Sequence, residues 1–144
     1  MDIVSKNKRS EMMANIKNRN TKPELLVRRY LYGKGFRYRL NLKVSGYRPD
    51  IVLIKYRTCI FIHGCFWHRH EGCKLASSPK SNSEFWEKKF AANRNRDEKA
   101  IATLKEEGWR IGIIWECAVR SGEYLRFDYL KAFEEKELWS IESI

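Results

Sequence analysis

At 144 residues, with 43% hydrophobic and 13% aromatic side chains, the chain suits a single folded domain with a real core. No run approaches the roughly 18 uncharged apolar residues of a membrane span, and the first six residues lack the apolar stretch of a signal peptide, so a cytoplasmic protein is expected. The net charge of +11 is concentrated at the front: residues 1–40 carry eleven Lys/Arg against three Asp/Glu, while residues 121–144 carry three against six. A polyanion such as nucleic acid is the natural partner of such a field, with a merely solvated basic surface as the alternative.

Residues 1–20 read as a basic N-terminal arm, in which Ser10 and the following Glu-Met-Met-Ala have helical propensity but little apolar surface. Residues 21–144 then form the single domain. Thr21-Lys-Pro-Glu24 has the form of a capping box with proline in the first turn, so a helix is expected to about residue 34. Leu26, Val27, Tyr30 and Leu31 share its apolar face, and Gly33 and Gly35 supply the stop.

Phe36, Tyr38 and Leu40 alternate with Arg37 and Arg39, the period of a half-buried strand. Arg48-Pro-Asp50 opens a second strand over residues 51–54, and a turn at 55–58 returns the chain as a third over 59–62, making a hairpin. The hairpin brings Asp50 towards His63. A carboxylate there suits a hard divalent cation such as Mg²⁺, the alternative being an ion pair with Arg48.

The stretch from His63 to Cys73 holds all three histidines and two of the four cysteines. The spacing Cys65-x4-His70-x2-Cys73 wraps a loop about a metal, and Cys117, at the end of another central strand over 110–115, completes a tetrahedral Cys3His zinc set. Unpaired buried thiols are the alternative, since disulfides are not expected in the cytoplasm. Cys59, inside a strand, reads as core. A polar loop leads to a long helix from Ser83 to about residue 107, whose inward side carries Phe85, Trp86, Lys89, Phe90, Asn93, Ala100, Ile101 and Leu104, with gaps. A last helix from about residue 124, with Leu125, Tyr129, Leu130 and Phe133, closes the chain.

The order helix, strands, helix, strand, helix, with Pro-Asp at the head of a hairpin, resembles the restriction-endonuclease-like core: α/β, a central mixed sheet flanked by helices. The motifs Arg48-Pro-Asp50, Phe61-Ile-His-Gly-Cys-Phe-Trp-His68, Ser83-Glu-Phe-Trp86 and Trp115-Glu-Cys-Ala118 are similar to those of the very-short-patch repair endonucleases. The likeness runs from about residue 9 to residue 120. It implies a monomeric, Mg²⁺-dependent enzyme that nicks duplex DNA 5′ of the thymine of T·G mismatches arising from deaminated 5-methylcytosine, with mismatch-repair proteins and a cytosine-5 methyltransferase as further partners.

The resemblance also implies site residues. Asp50 and the backbone carbonyl of Ile62 would hold magnesium, His68 would be the general base, and His63 and Glu24 would support the phosphate and the hydrated metal. Cys65, His70, Cys73 and Cys117 would hold a structural zinc. Phe66, Trp67 and Trp86 would wedge into the base stack, with Met13 reaching the minor groove. The other readings of the same chain are a restriction-type nuclease without mismatch specificity and a zinc-stabilised DNA-binding module without catalysis, which Asp50 and His68 disfavour.

Overall fold

The computed structural model describes residues 21–77 and 81–143. The basic arm, with Met13, lies outside the described residues. Helix α1, Lys22–Gly33, is followed by strands β1, Ile51–Leu53, and β2, Thr58–His63; then come helix α2, Ser83–Glu106, strand β3, Arg110–Trp115, helices α3, Glu116–Ser121, and α4, Tyr129–Glu135, and strand β4, Leu138–Ile141. The strands lie in that order in one mixed sheet, β1 antiparallel to β2, and β2, β3 and β4 parallel. Among the described residues no helix is long and apolar enough to cross a membrane.

The alternation of strand side chains divides the interior into two cores. Ile51, Leu53, Ile60 and Ile114 pack with Val27 and Leu31 of α1, Ala118 and Val119 of α3, and Tyr129 and Phe133 of α4. On the opposite face Val52, Cys59 and Ile111 pack with Leu104 and Ile101 of α2. Gly112 belongs to the first face, where a Cβ would stand 2.2 Å from the Trp139 ring. The missing side chain is what lets the indole of β4 cross β3.

Helix α1 begins where the capping box predicts. Glu24 accepts from the Thr21 N–H at 3.2 Å, and Gly35, at φ +95°, follows the cap residue Lys34. The strand expected over 36–40 is a single bridge instead: Arg39 and Val52 exchange two backbone hydrogen bonds, and the chain then turns away through Asn41 at φ +59°. Phe36, Tyr38 and Leu40 still pack against the core, so their alternation marks a half-buried edge without a ladder. Strand β1 stops at Leu53 because residues 54–56 form a 3-10 turn closed by left-handed Arg57.

The final helix expected from residue 124 is in two pieces. A 3-10 turn over Glu123–Leu125 precedes α4, whose own start is capped by Asp128 accepting from the Lys131 N–H at 3.2 Å. Strand β4, unforeseen in the sequence reading, follows α4. The parallel registers pair His63 with Trp115 and Ile114 with Ile141. Three chain segments therefore leave the sheet at one edge, and the chemistry-bearing residues gather there.

Candidate active site and metal centre

At the head of β1, the Asp50 N–H donates to the Ile60 carbonyl at 3.0 Å, and the Asp50 carboxylate accepts from the Ile62 N–H at 2.7 Å. In an extended strand the N–H and C=O of one residue point to the same edge, so the Ile62 carbonyl also faces the β1 side. Glu24, 3% exposed, reaches the same place from the first turn of α1. Burial holds the Asp50 carboxyl well above the usual carboxylate range; a hydrogen bond and repulsion from Glu24 add to this, while the Ile62 N–H and the charge of Arg28 oppose it. The basic partner on this pair is Arg28, 3.5 Å from Glu24, rather than the Arg48 weighed from sequence.

A buried carboxylate, Glu24, and a half-buried one, Asp50, beside a carbonyl on the same edge are a hard-oxygen donor set, and fit a Mg²⁺-like cation better than a soft metal. A cation would relieve the repulsion that now raises the Asp50 pKa. This supports the pairing of Glu24 with Asp50 as a cation site, with Glu24 serving its helix cap through the same carboxylate.

The histidines form a second group at the end of β2. His63 and His68 stack with ring centroids 3.8 Å apart and planes 4° from parallel. His68 Nδ1 lies 2.5 Å from Asp97 Oδ2, and His63 Nε2 lies 3.9 Å from Asp97 Oδ1. These three residues are close enough for a metal reading, but ring lone pairs lie in the ring planes, and planes stacked in parallel cannot both point at one ion. The geometry instead suits proton handling. With Nδ1 turned to the carboxylate, Nε2 is the ring nitrogen able to accept a proton, and His68 lines, with Arg94, Trp115 and loop residues 69–73, a cleft of about 920 Å³.

His63 is buried, and that burial, with His68 beside it, lowers its pKa to about 3 against the pull of Asp97. It stays neutral at any working pH and supports the His68 ring from behind. Asp97 was missed in the sequence. It stands four residues after Asn93 and three before Ala100 on α2, so it fills the gap in the inward-facing stripe with a carboxylate, which is the one sequence signal it left.

Past the end of β2 the loop closes on the third group. The side chains of Cys65, His70, Cys73 and Cys117 bring their ligand atoms within 4.8 Å of one another and could hold a metal ion. Cys65 and Cys117 each stand two residues beyond the paired His63 and Trp115, so the sheet register juxtaposes them. The Cys117 N–H donates to Cys65 Sγ at 3.4 Å, and the backbone bond His70 N–H to Cys65 O, 3.0 Å, folds the loop. Three thiols and one imidazole, mostly buried, fit a soft or borderline ion in four-coordinate geometry with no open position. Cys59, deep in β2 with its thiol pushed up to about 12 by burial, takes no part.

The aromatic side chains form a fourth feature, half-buried on the outside of this loop. Phe66 meets Trp67, Trp86 and Phe90 edge-on at 5.2–5.6 Å, and Trp67 meets Trp86 at 5.6 Å. The Arg69 guanidinium covers Phe90 at 4.3 Å. Phe85, 56% exposed, extends the cluster outwards. Phe90 anchors the cluster as a buried residue, while Phe66, Trp67 and Trp86 are half-buried and present an apolar edge next to the histidines.

Residues 1–74 match the family model described as DNA mismatch endonuclease Vsr. The chain is 46% identical over 120 residues to the type II nicking enzyme V.NmeAIP of Neisseria meningitidis, covering 83% of this chain and 85% of that protein. It is 41% identical over 138 residues to the DNA mismatch endonuclease Vsr of Escherichia coli, covering 96% and 86% respectively. Among solved structures, the catalytic domain of the homing endonuclease I-Bth0305I is similar in fold, with a TM-score of 0.54 at 19% identity over 79% of this chain and 95% of that one.

Proposed function

The chain belongs to the DNA mismatch endonuclease Vsr family, and on that premise we propose that it nicks one strand of duplex DNA 5′ of the thymine in T·G mismatches, using magnesium. The observation that carries the reading is that a carboxylate pair, Asp50 and Glu24, and an aspartate-held histidine, His68, lie at one end of a single sheet. Asp50, Glu24 and the Ile62 carbonyl are the residues that would hold the cation. When bound, magnesium supplies charge neutralisation at the scissile phosphate.

The rest is done by the chain. His68 Nε2 accepts the proton of the attacking water, and Asp97 fixes the tautomer that leaves Nε2 free and stabilises the imidazolium that forms. His63, neutral and stacked, keeps the His68 ring in plane. Arg94, lining the same cleft, is a partner for DNA phosphate. Cys65, His70, Cys73 and Cys117 would hold zinc, which when bound cross-links the loop bearing His68 to the end of β3.

In the same reading Phe66, Trp67 and Trp86 enter the base stack. A mismatched step costs less to unstack than a paired one, which gives selectivity a source without base-specific hydrogen bonds. Since Trp67 is only half-buried, Trp67→Ala is expected to stay folded, losing less than the ~3–5 kcal/mol of a fully buried indole. It should lose ~1–3 kcal/mol of stacking, about five- to 150-fold, on T·G duplex and less on matched duplex. Affinities for both duplexes at one salt concentration check this, and an unchanged ratio in a folded variant removes Trp67 from mismatch reading.

Nicking itself is tested on covalently closed circular DNA carrying one T·G pair. The open circular form should accumulate with Mg²⁺ and not with EDTA. Conversion directly to linear DNA would favour the restriction-type reading, and no cleavage at all the non-catalytic one.

A further inference from the structure

The residues that follow β4 are turned onto the Cys/His centre. His70 directs Nδ1 at Cys117 Sγ, 3.5 Å away, and Nε2 at Glu142 Oε2, 2.5 Å away. One ring nitrogen thus faces the ligand set and the other a carboxylate. The next residue completes the contact, the Ser143 N–H donating to Cys117 Sγ at 3.3 Å. Both are carried there by the pairing of Ile114 with Ile141, which lays the end of β4 beside the turn from β3 into α3. The His70 ring is also held by Trp115, stacked at 4.0 Å and 9° from parallel.

We propose that Glu142 and Ser143 are outer-sphere positioning residues of the Cys65–His70–Cys73–Cys117 metal centre. Glu142 keeps the proton on His70 Nε2, so that the Nδ1 lone pair is presented to the ion, and makes the imidazole a stronger donor. The Ser143 N–H stabilises the charge on the Cys117 thiolate. A carboxylate behind a metal-bound histidine contributes ~10–100-fold to metal affinity in general. The Glu142 side chain is 52% exposed, which screens it and sets the expectation near ~10-fold. The inference rests on reading the four ligands as a metal centre.

The test uses zinc-loaded full-length protein, Glu142→Gln, Glu142→Ala and a chain truncated after Ile141, with zinc transfer to a chromogenic chelator as the readout. Glu142→Ala should release zinc ~10-fold faster than the parent, Glu142→Gln at an intermediate rate because its Oε1 still accepts from Nε2–H, and the truncated chain faster than either. Cobalt(II) in place of zinc should show a shifted visible d–d band in Glu142→Ala, a change that loss of packing alone does not produce. Equal zinc release and an unchanged cobalt spectrum in all four proteins would overturn the proposal. Failure of the parent to retain any zinc or cobalt would instead remove the metal centre itself.

Discussion

Asp50→Asn is expected to abolish nicking while making the cation-free protein more stable at neutral pH. The first effect follows from removing a cation ligand that acts on transition-state charge, several kcal/mol or on the order of 10³-fold in rate. The second follows from burial and Glu24 holding the Asp50 carboxyl well above its ordinary range. Between the unfolded and the raised folded pKa the folded chain binds more protons, so this group's contribution to stability falls as pH rises through that interval. Asparagine keeps an oxygen for the Ile62 N–H and removes the titration. Thermal melts in EDTA should place the variant above the parent at neutral pH, with the gap closing as pH falls below the ordinary carboxylate range; Mg²⁺ should raise the parent's midpoint and leave the variant's in place. Undiminished nicking by Asp50→Asn would remove the carboxylate pair from the mechanism. DNA affinity, carried by phosphate contacts and ring stacking, should change little.

His68→Ala should lower the nicking rate by ~10²–10⁴-fold, the usual contribution of a positioned base, with cation affinity retained. Added imidazole should restore part of the rate in this variant. Asp97→Asn should be nearly as damaging, because an amide can turn its NH2 towards His68 Nδ1 and favour the tautomer whose Nε2 carries the proton. Imidazole should not rescue Asp97→Asn, where His68 still fills the site. Single-turnover rates on T·G duplex separate the two variants. Activity of His68→Ala within a fewfold of the parent would mean that the base lies elsewhere.

The parts of this arrangement that were legible in the sequence are those fixed by short-range pattern. Thr21-Lys-Pro-Glu24 announces both the helix start and the carboxylate, and the apolar runs of β2 and β3 place Cys65 and Cys117 at two strand ends. What sequence left hidden depends on packing. Phe36 to Leu40 has strand periodicity, but left-handed Asn41 ends its contact with β1 after one bridge. Strand β4 is four residues long and follows an acidic run that reads as the outer face of a helix, although its alternation of exposed and buried residues is that of a strand. Asp97 lies in the most polar stretch of α2, where a carboxylate is ordinarily solvated; only the fold turns it onto His63 and His68. Glu142 is likewise unreadable until β4 carries it to His70.

The most direct measurement is strand-resolved cleavage of two duplexes that differ in one base, T·G and T·A, each strand labelled separately, with Mg²⁺ present. A cut confined to the thymine strand of the T·G duplex, 5′ of the mismatched thymine, with the G strand and the T·A duplex intact, is the predicted result. Equal cleavage of both duplexes, or cutting of both strands, would contradict it.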